Sequence, residues 1–181
     1  NLTYEDYGYG QLVPERPFDI SGAWNNAFRF RVTNDDLEPK PTPFTDEARA
    51  MFEATVHYDD YSLRCLSPGL PRIIGAPYTM EIADAGSHYL VVHEEHNMPR
   101  RIYMDGREPP ENAQPSSLGY SIGHWESDNV LVIESTHILP GWLDGGGLPM
   151  SGDGTRIVER WEFAEDRLSM DRVATFYDPY Y

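Results

Sequence analysis

The densest group of proton-exchanging side chains lies in VVHEEHNMPRR, which holds His93, Glu94, Glu95, His96, Arg100 and Arg101. His93 and His96 have the three-residue spacing of a metal pair on a helix, but on a strand those positions face opposite ways. On a strand His93 and Glu95 share a face with Tyr89 and Val91, and the chemistry on offer is a His–carboxylate dyad that moves a proton. The plainer reading is a solvated strand end whose charges cross to Arg100 or Arg101. Asp105 and His124 are the other candidate acid–base groups. Asp105-Gly106-Arg107 reads as a turn, with glycine supplying a positive φ and the aspartate bonding its own backbone; general-base duty for Asp105 is the sharper alternative.

Gly119-Tyr-Ser121-Ile-Gly123 matches the G-x-S-x-G pattern of a nucleophile elbow. That motif needs a strained strand–turn–helix, whereas this segment runs on through His-Trp-Glu into a hairpin turn, so hydrolase chemistry is set aside. The glycines fit a backbone over which an aromatic from the next strand can lie. If Trp125 faces inward, Ser121 and Gly123 line the same wall, and such a wall either holds a ligand ring or anchors the core. Asp144 and Asp153 sit among glycines in the loop 139–154 without the D-x-[DN]-x-[DN]-G spacing of a calcium loop. They are weak Ca²⁺ candidates, and no cofactor is expected. Cys65 is the single cysteine, with no CxxC or Cys/His zinc spacing and no intrachain disulfide open to it; an unpaired thiol of this kind is expected to be buried.

The elements that must position these groups are mostly strands. Period-two patterning begins at Tyr78, Met80 and Ile82. It continues through HYLVVHEE (88–95) and RRIYM (100–104), then the hairpins GYSIGHWE/VLVIEST (119–136) and TRIVERWEF/RLSMDRVATF (155–176). FDISGAW (18–24) reads as a first strand. One short helix near 45–55 is signalled by Thr45 as N-cap, Asp46 and Glu47 in the first turn, and Ala48, Met51, Phe52 and Thr55 at helical spacing. The expected fold is mainly β: an antiparallel meander of about eight strands closing into a barrel or a two-sheet sandwich. Residues 1–17 form an N-terminal extension rich in Gly, Pro and Tyr, and 18–181 form one domain. Tyr4, Tyr7 and Tyr9 would anchor that extension on its own domain or on a neighbouring copy.

Several of these segments carry a joint pattern. It comprises Gly22 and Trp24; Cys65, Pro68, Gly69, Pro71 and Arg72; Arg100, Ile102, Asp105, Gly106 and Arg107; Gly119, Ser121, Gly123, Trp125, Glu126 and Asp128; then Glu159-Arg160 and Asp178-Pro179. In this the chain resembles an uncharacterised family of exported bacterial proteins. The resemblance implies export and brings no reaction or cofactor with it.

Charge narrows the function classes. Thirty acidic residues against fourteen basic ones, thirteen of them Arg, give a formal charge of −16. That field disfavours nucleic acid and anionic lipid surfaces. No apolar run approaches the 18 or so residues of a spanning helix, so membrane insertion is not expected. A first residue that is not Met fits a mature, secreted product, extracellular or periplasmic. Two functions follow. The first is a non-enzymatic subunit that assembles with copies of itself, as an oligomer or filament, through its Tyr-rich N-terminal segment. The second is a small-molecule binder or cofactor-independent lyase or isomerase, with His93, Glu95, Asp105 and His124 converging on a pocket in the barrel mouth.

Overall fold

Alternating buried and exposed residues from Met80 onward build the sheet that the computed structural model presents. It describes residues 15–25 and 42–181. Tyr4, Tyr7 and Tyr9 lie outside the described residues. The strands are β1 (Gly22–Trp24), β2 (Met80–Asp84), β3 (His88–His93), β4 (Met98–Tyr103), β5 (Tyr120–Ser127), β6 (Val130–Thr136), β7 (Gly141–Trp142), β8 (Pro149–Met150), β9 (Arg156–Phe163) and β10 (Met170–Tyr177). Eight of them form one sheet in the order β1-β2-β3-β4-β5-β6-β9-β10, curled into a half-barrel, while β7 and β8 pair apart. The mainly β architecture, with one short α-helix among the described residues, is thus as the patterning predicts.

The meander has one departure. β4 and β5 run parallel, paired only at Ile102↔Ser121 and Tyr103↔Ile122. A tight turn cannot join parallel neighbours. The Pro-rich stretch 104–119 instead carries the chain back to the end where β4 began.

The helix α1 (Asp46–Ala54) starts where its cap places it: Thr45 Oγ1 accepts from the Ala48 N–H at 3.2 Å. It buries little beyond Ala48 and is held by the C-terminal tail. Thr45 N–H donates to the Tyr180 carbonyl at 2.9 Å, and the Phe44 ring lies between Phe52 and Tyr181. The tail is fixed in turn by Asp178, whose carboxylate accepts from the Ser151 N–H at 3.0 Å and from the Thr155 hydroxyl.

Two expectations are corrected. HYLVVHEE does not remain a strand through Glu95. β3 ends at His93, and Glu95–Asn97 form a 3-10 turn in which His96 and Asn97 take φ of 57° and 48°. Cys65 is exposed rather than buried. It closes the 3-10 turn Tyr61–Arg64 in the left-handed region, so the reversal itself holds it at the surface. The segment is anchored instead by the apolar Leu70, Ile73 and Ile74 and by the Arg72–Asp60 ion pair at 2.7 Å.

The inward face carries two apolar clusters. Phe18, Ile20, Met80, Ile82, Tyr89, Val91, Ile102, Leu131, Ile133, Trp161 and Phe163 belong to one. Leu70, Ile73, Leu118, Ile138, Met150 and Ile157 belong to the other.

Entry into β5 depends on Gly119, at φ +62°, where a Cβ would stand 2.5 Å from the Thr136 carbonyl oxygen. Both the backbone conformation and the space exclude a side chain. Gly119→Ala is expected to lower stability by about 1–3 kcal/mol, read as a reduced urea midpoint at unchanged slope.

Candidate functional site

Between the two apolar clusters the inward face turns polar. On β9, Ile157, Glu159, Trp161 and Phe163 all point inward, and Glu159 is the one charged residue among them. On β4 the same interruption is Arg100, between Met98 and Ile102. Arg100 is 2% exposed and Glu159 1%, and they form an ion pair at 2.6 Å. Arg100 Nε also donates to Ser121 Oγ of β5 at 3.0 Å, and Nη2 donates to Ser135 Oγ of β6 at 2.8 Å. The two serine hydroxyls are 2.8 Å apart, and the Trp161 indole N–H donates to the other Glu159 oxygen at 3.1 Å. One guanidinium thus ties four strands together through side chains alone.

Two more basic groups adjoin this belt. Arg172 of β10 donates to the Ile74 carbonyl at 2.8 Å. Burial and the nearby positive charge of Arg100 lower its pKa, opposed by Glu159. His93, at the end of β3, is 5% exposed, and its Nε2 is sealed from solvent without a partner. Burial, followed by Arg100 and Arg172, pushes the imidazole down to about 4, with Glu159 opposing. It is therefore neutral at pH 7.

The four candidate acid–base residues do not meet. His93 lies inside the half-barrel, while Glu95 sits in the surface turn beyond β3, its carboxylate 3.8 Å from His96. The dyad fails because the strand on which both would share a face has already ended. Asp105 forms an Asx turn, receiving the Arg107 N–H at 3.4 Å and pairing with the Arg107 guanidinium. His124 is exposed on the outer face of β5.

Ser121 and Trp125 do face inward with Gly123, but the wall is occupied. Trp125 packs on Phe18 at 5.4 Å and Phe163 at 5.7 Å. Gly123 gives its space to Met104 and Ile102, not to an aromatic. Tyr89 adjoins this cage with Arg16 over its ring at 4.7 Å, and burial pushes its hydroxyl up to about 12. In the 139–154 loop, Asp144 caps the backbone, accepting from Gly146 N–H at 2.9 Å and Leu148 N–H at 3.1 Å; the Asp153 carbonyl accepts from Ser151. Among the described residues no group of three or more His, Cys, Asp or Glu side chains is disposed to hold a metal ion.

The sequence reading missed the Arg100–Glu159 pair. A signal was present: a Glu in the inward register of VERWEF, and two adjacent arginines of which alternation sends one inside.

At the surface, the N-terminal side is pinned at Arg16, which donates to Asp84 at 3.2 Å and to the Gly86 carbonyl at 2.6 Å. At the other end of the strand order, β10 has no strand beyond it among the described residues. It is eight residues long, and Val173 is 61% exposed on it, with Phe176 and Tyr177 also open. Among the described residues no helix is long and apolar enough to cross a membrane. No protein-family model matches the chain, and no curated protein does either.

Two measurements follow from the belt. Glu159→Gln leaves Arg100 buried beside a neutral amide and is expected to cost about 3–5 kcal/mol in urea unfolding; pairing Glu159→Leu with Arg100→Met should cost less than Glu159→Gln alone. For His93, the unfolded imidazole takes up a proton near pH 6.5 that the folded one refuses until about pH 4. Its contribution is intact above pH 6.5 and is lost as pH falls toward 4. Wild type should thus lose about 2 kcal/mol more than His93→Gln between pH 7 and 4.5, read from urea midpoints at each pH.

Proposed function

We propose that this chain is an exported, non-enzymatic subunit that assembles with copies of itself, the Tyr-rich N-terminal segment of one copy pairing with β10 of the next. The observation that carries the reading is the β10 edge. A row of unpaired N–H and C=O groups eight residues long is a template for another strand, and natural edges of that length are ordinarily blunted by Lys, Pro or a bulge. β10, with the sequence MDRVATFY, has no Lys, Pro or bulge and pairs continuously with β9 on its inner side; its guarding charges, Asp171 and the inward Arg172, stand at its start and leave Val173–Tyr177 uncharged.

The occupant follows from length and position. Residues 1–14 precede the Arg16 anchor and span up to about 46 Å when extended. An eight-residue strand needs about 27 Å. Tyr4, Tyr7 and Tyr9 supply aromatic contacts for the exposed Val173, Phe176 and Tyr177. The segment carries Glu5 and Asp6 and no base, so pairing takes place against repulsion between copies of charge −16 and tightens as salt screens it. The dispersal of His93, Glu95, Asp105 and His124 removes the acid–base pocket that the alternative reading requires. Secretion, extracellular or periplasmic, belongs to the same reading.

Sedimentation velocity of the full chain across about 0.05 to 0.5 M salt tests it. Assembly should grow with salt. It should disappear in a chain lacking residues 1–14 and in Val173→Lys/Thr175→Lys, whose charges lie along the β10 edge. A full chain that stays monomeric throughout, or a truncated one that assembles as before, overturns it.

A further inference from the structure

Two thioethers and an imidazole stand side by side at one end of the sheet. His93, the last residue of β3, pairs directly with Met80, the first of β2, and on its other side with Met98, the first of β4. Direct cross-strand partners share a face, so the three side chains project inward in a row, successive Cβ atoms about 4.5–5.5 Å apart. Met80 belongs to one apolar cluster and Met98 packs against the other, so His93 stands where the two adjoin.

His93 is the member that needs an explanation. Its Nε2 is sealed from solvent without a hydrogen-bond partner, in a residue 5% exposed. A buried polar atom left unsatisfied is rare and points to an occupant. The ring is neutral at pH 7, so with its proton on Nδ1 it presents Nε2 as a lone pair from which no proton has to be displaced. Met80 Sδ accepts from Arg172 Nη1 at 3.6 Å, and that guanidinium is one of the two that depress the His93 pKa. One arginine therefore adjoins both the sulfur and the imidazole, and the second sulfur lone pair stays free. Met98 is half-buried and lines the cleft between residues 98–101 and 116–121, so the row reaches solvent through a flexible thioether.

The donor set selects the ion. Two thioethers with an imidazole, and no carboxylate, form a neutral and mostly soft set, which favours Cu(I) over Mg²⁺, Ca²⁺ or Zn²⁺. Charge acts in the same direction. Arg100 and Arg172 against Glu159 leave one excess positive charge near the row, and a dication meets twice the repulsion that a monovalent ion meets. We propose that Met80, His93 and Met98 form a three-coordinate site for a soft monovalent metal ion of the Cu(I) class.

Ag⁺, the air-stable ion of that class, tests this when titrated in chloride-free buffer into the full chain carrying Cys65→Ser, a change that removes a competing exposed thiol. The methyl signals of Met80 and Met98 and the imidazole signals of His93 should shift together in NMR and saturate at one equivalent, with a Kd below about 1 μM. Met80→Leu and Met98→Leu conserve volume and keep the fold. Each should weaken binding about tenfold or more, since loss of a group that merely supports a ligand already costs that much. Met51→Leu, on the exposed side of α1, should leave the affinity unchanged. Zn²⁺ should bind at the three residues more weakly than Ag⁺. Shifts that do not saturate at these residues, an affinity unchanged in both Met80→Leu and Met98→Leu, or Zn²⁺ binding there more tightly than Ag⁺ would each overturn the proposal. These outcomes are independent of whether the chain assembles.

Discussion

The ion pair between Arg100 and Glu159 is the constraint on which the rest of the half-barrel depends. Two charges out of water are tolerated only when their remaining donors and acceptors are matched, and here Ser121, Ser135 and the Trp161 indole do most of that matching. The match holds in one register only. A slip of one residue in β4, β5, β6 or β9 would turn its polar member to the outer face and leave the others buried and unpaired. This matters most at the β4–β5 junction, which has just two paired positions of its own. The Arg100–Ser121 bond supplies there the specificity that backbone pairing supplies elsewhere.

Charge is distributed by the same logic. Inside, arginines exceed carboxylates; outside, carboxylates prevail and arginines cross-link them. Arg156 meets Glu134 of the adjacent β6 at 3.1 Å and also covers the Tyr177 ring, and Arg160 of β9 reaches over β6 to Glu126 of β5. Exposed pairs of this kind contribute little stability, but they offset part of the self-repulsion of an anionic sheet. The planar guanidinium, able to lie on a ring and hold a carboxylate at once, explains why Arg serves here where Lys would not.

Strand alternation was legible because it depends only on local side-chain period. The pairs flanking Asn129 and those in RIVERWEF fall where the pattern puts them, as does the helix whose Thr45 cap is a local hydrogen bond. What was not legible is non-local. The parallel junction depends on where a sixteen-residue loop, 104–119, sends the chain, which no residue within it encodes singly. The end of β3 was misplaced because His96 and Asn97 adopt left-handed backbone without a glycine to announce it. The polar belt is spread over residues 93 to 172 and is assembled only by closure of the sheet. Cys65 illustrates the converse: residue type favours burial, and a turn overrides it.

The belt also contains its own chromophore. Trp161 is 1% exposed, its indole nitrogen bound to Glu159 and its ring lying 5.9 Å from the Arg172 guanidinium. Its excited-state dipole senses both charges directly. The emission of this one indole therefore carries an optical record of what occupies, protonates or disturbs the interior, with no label added.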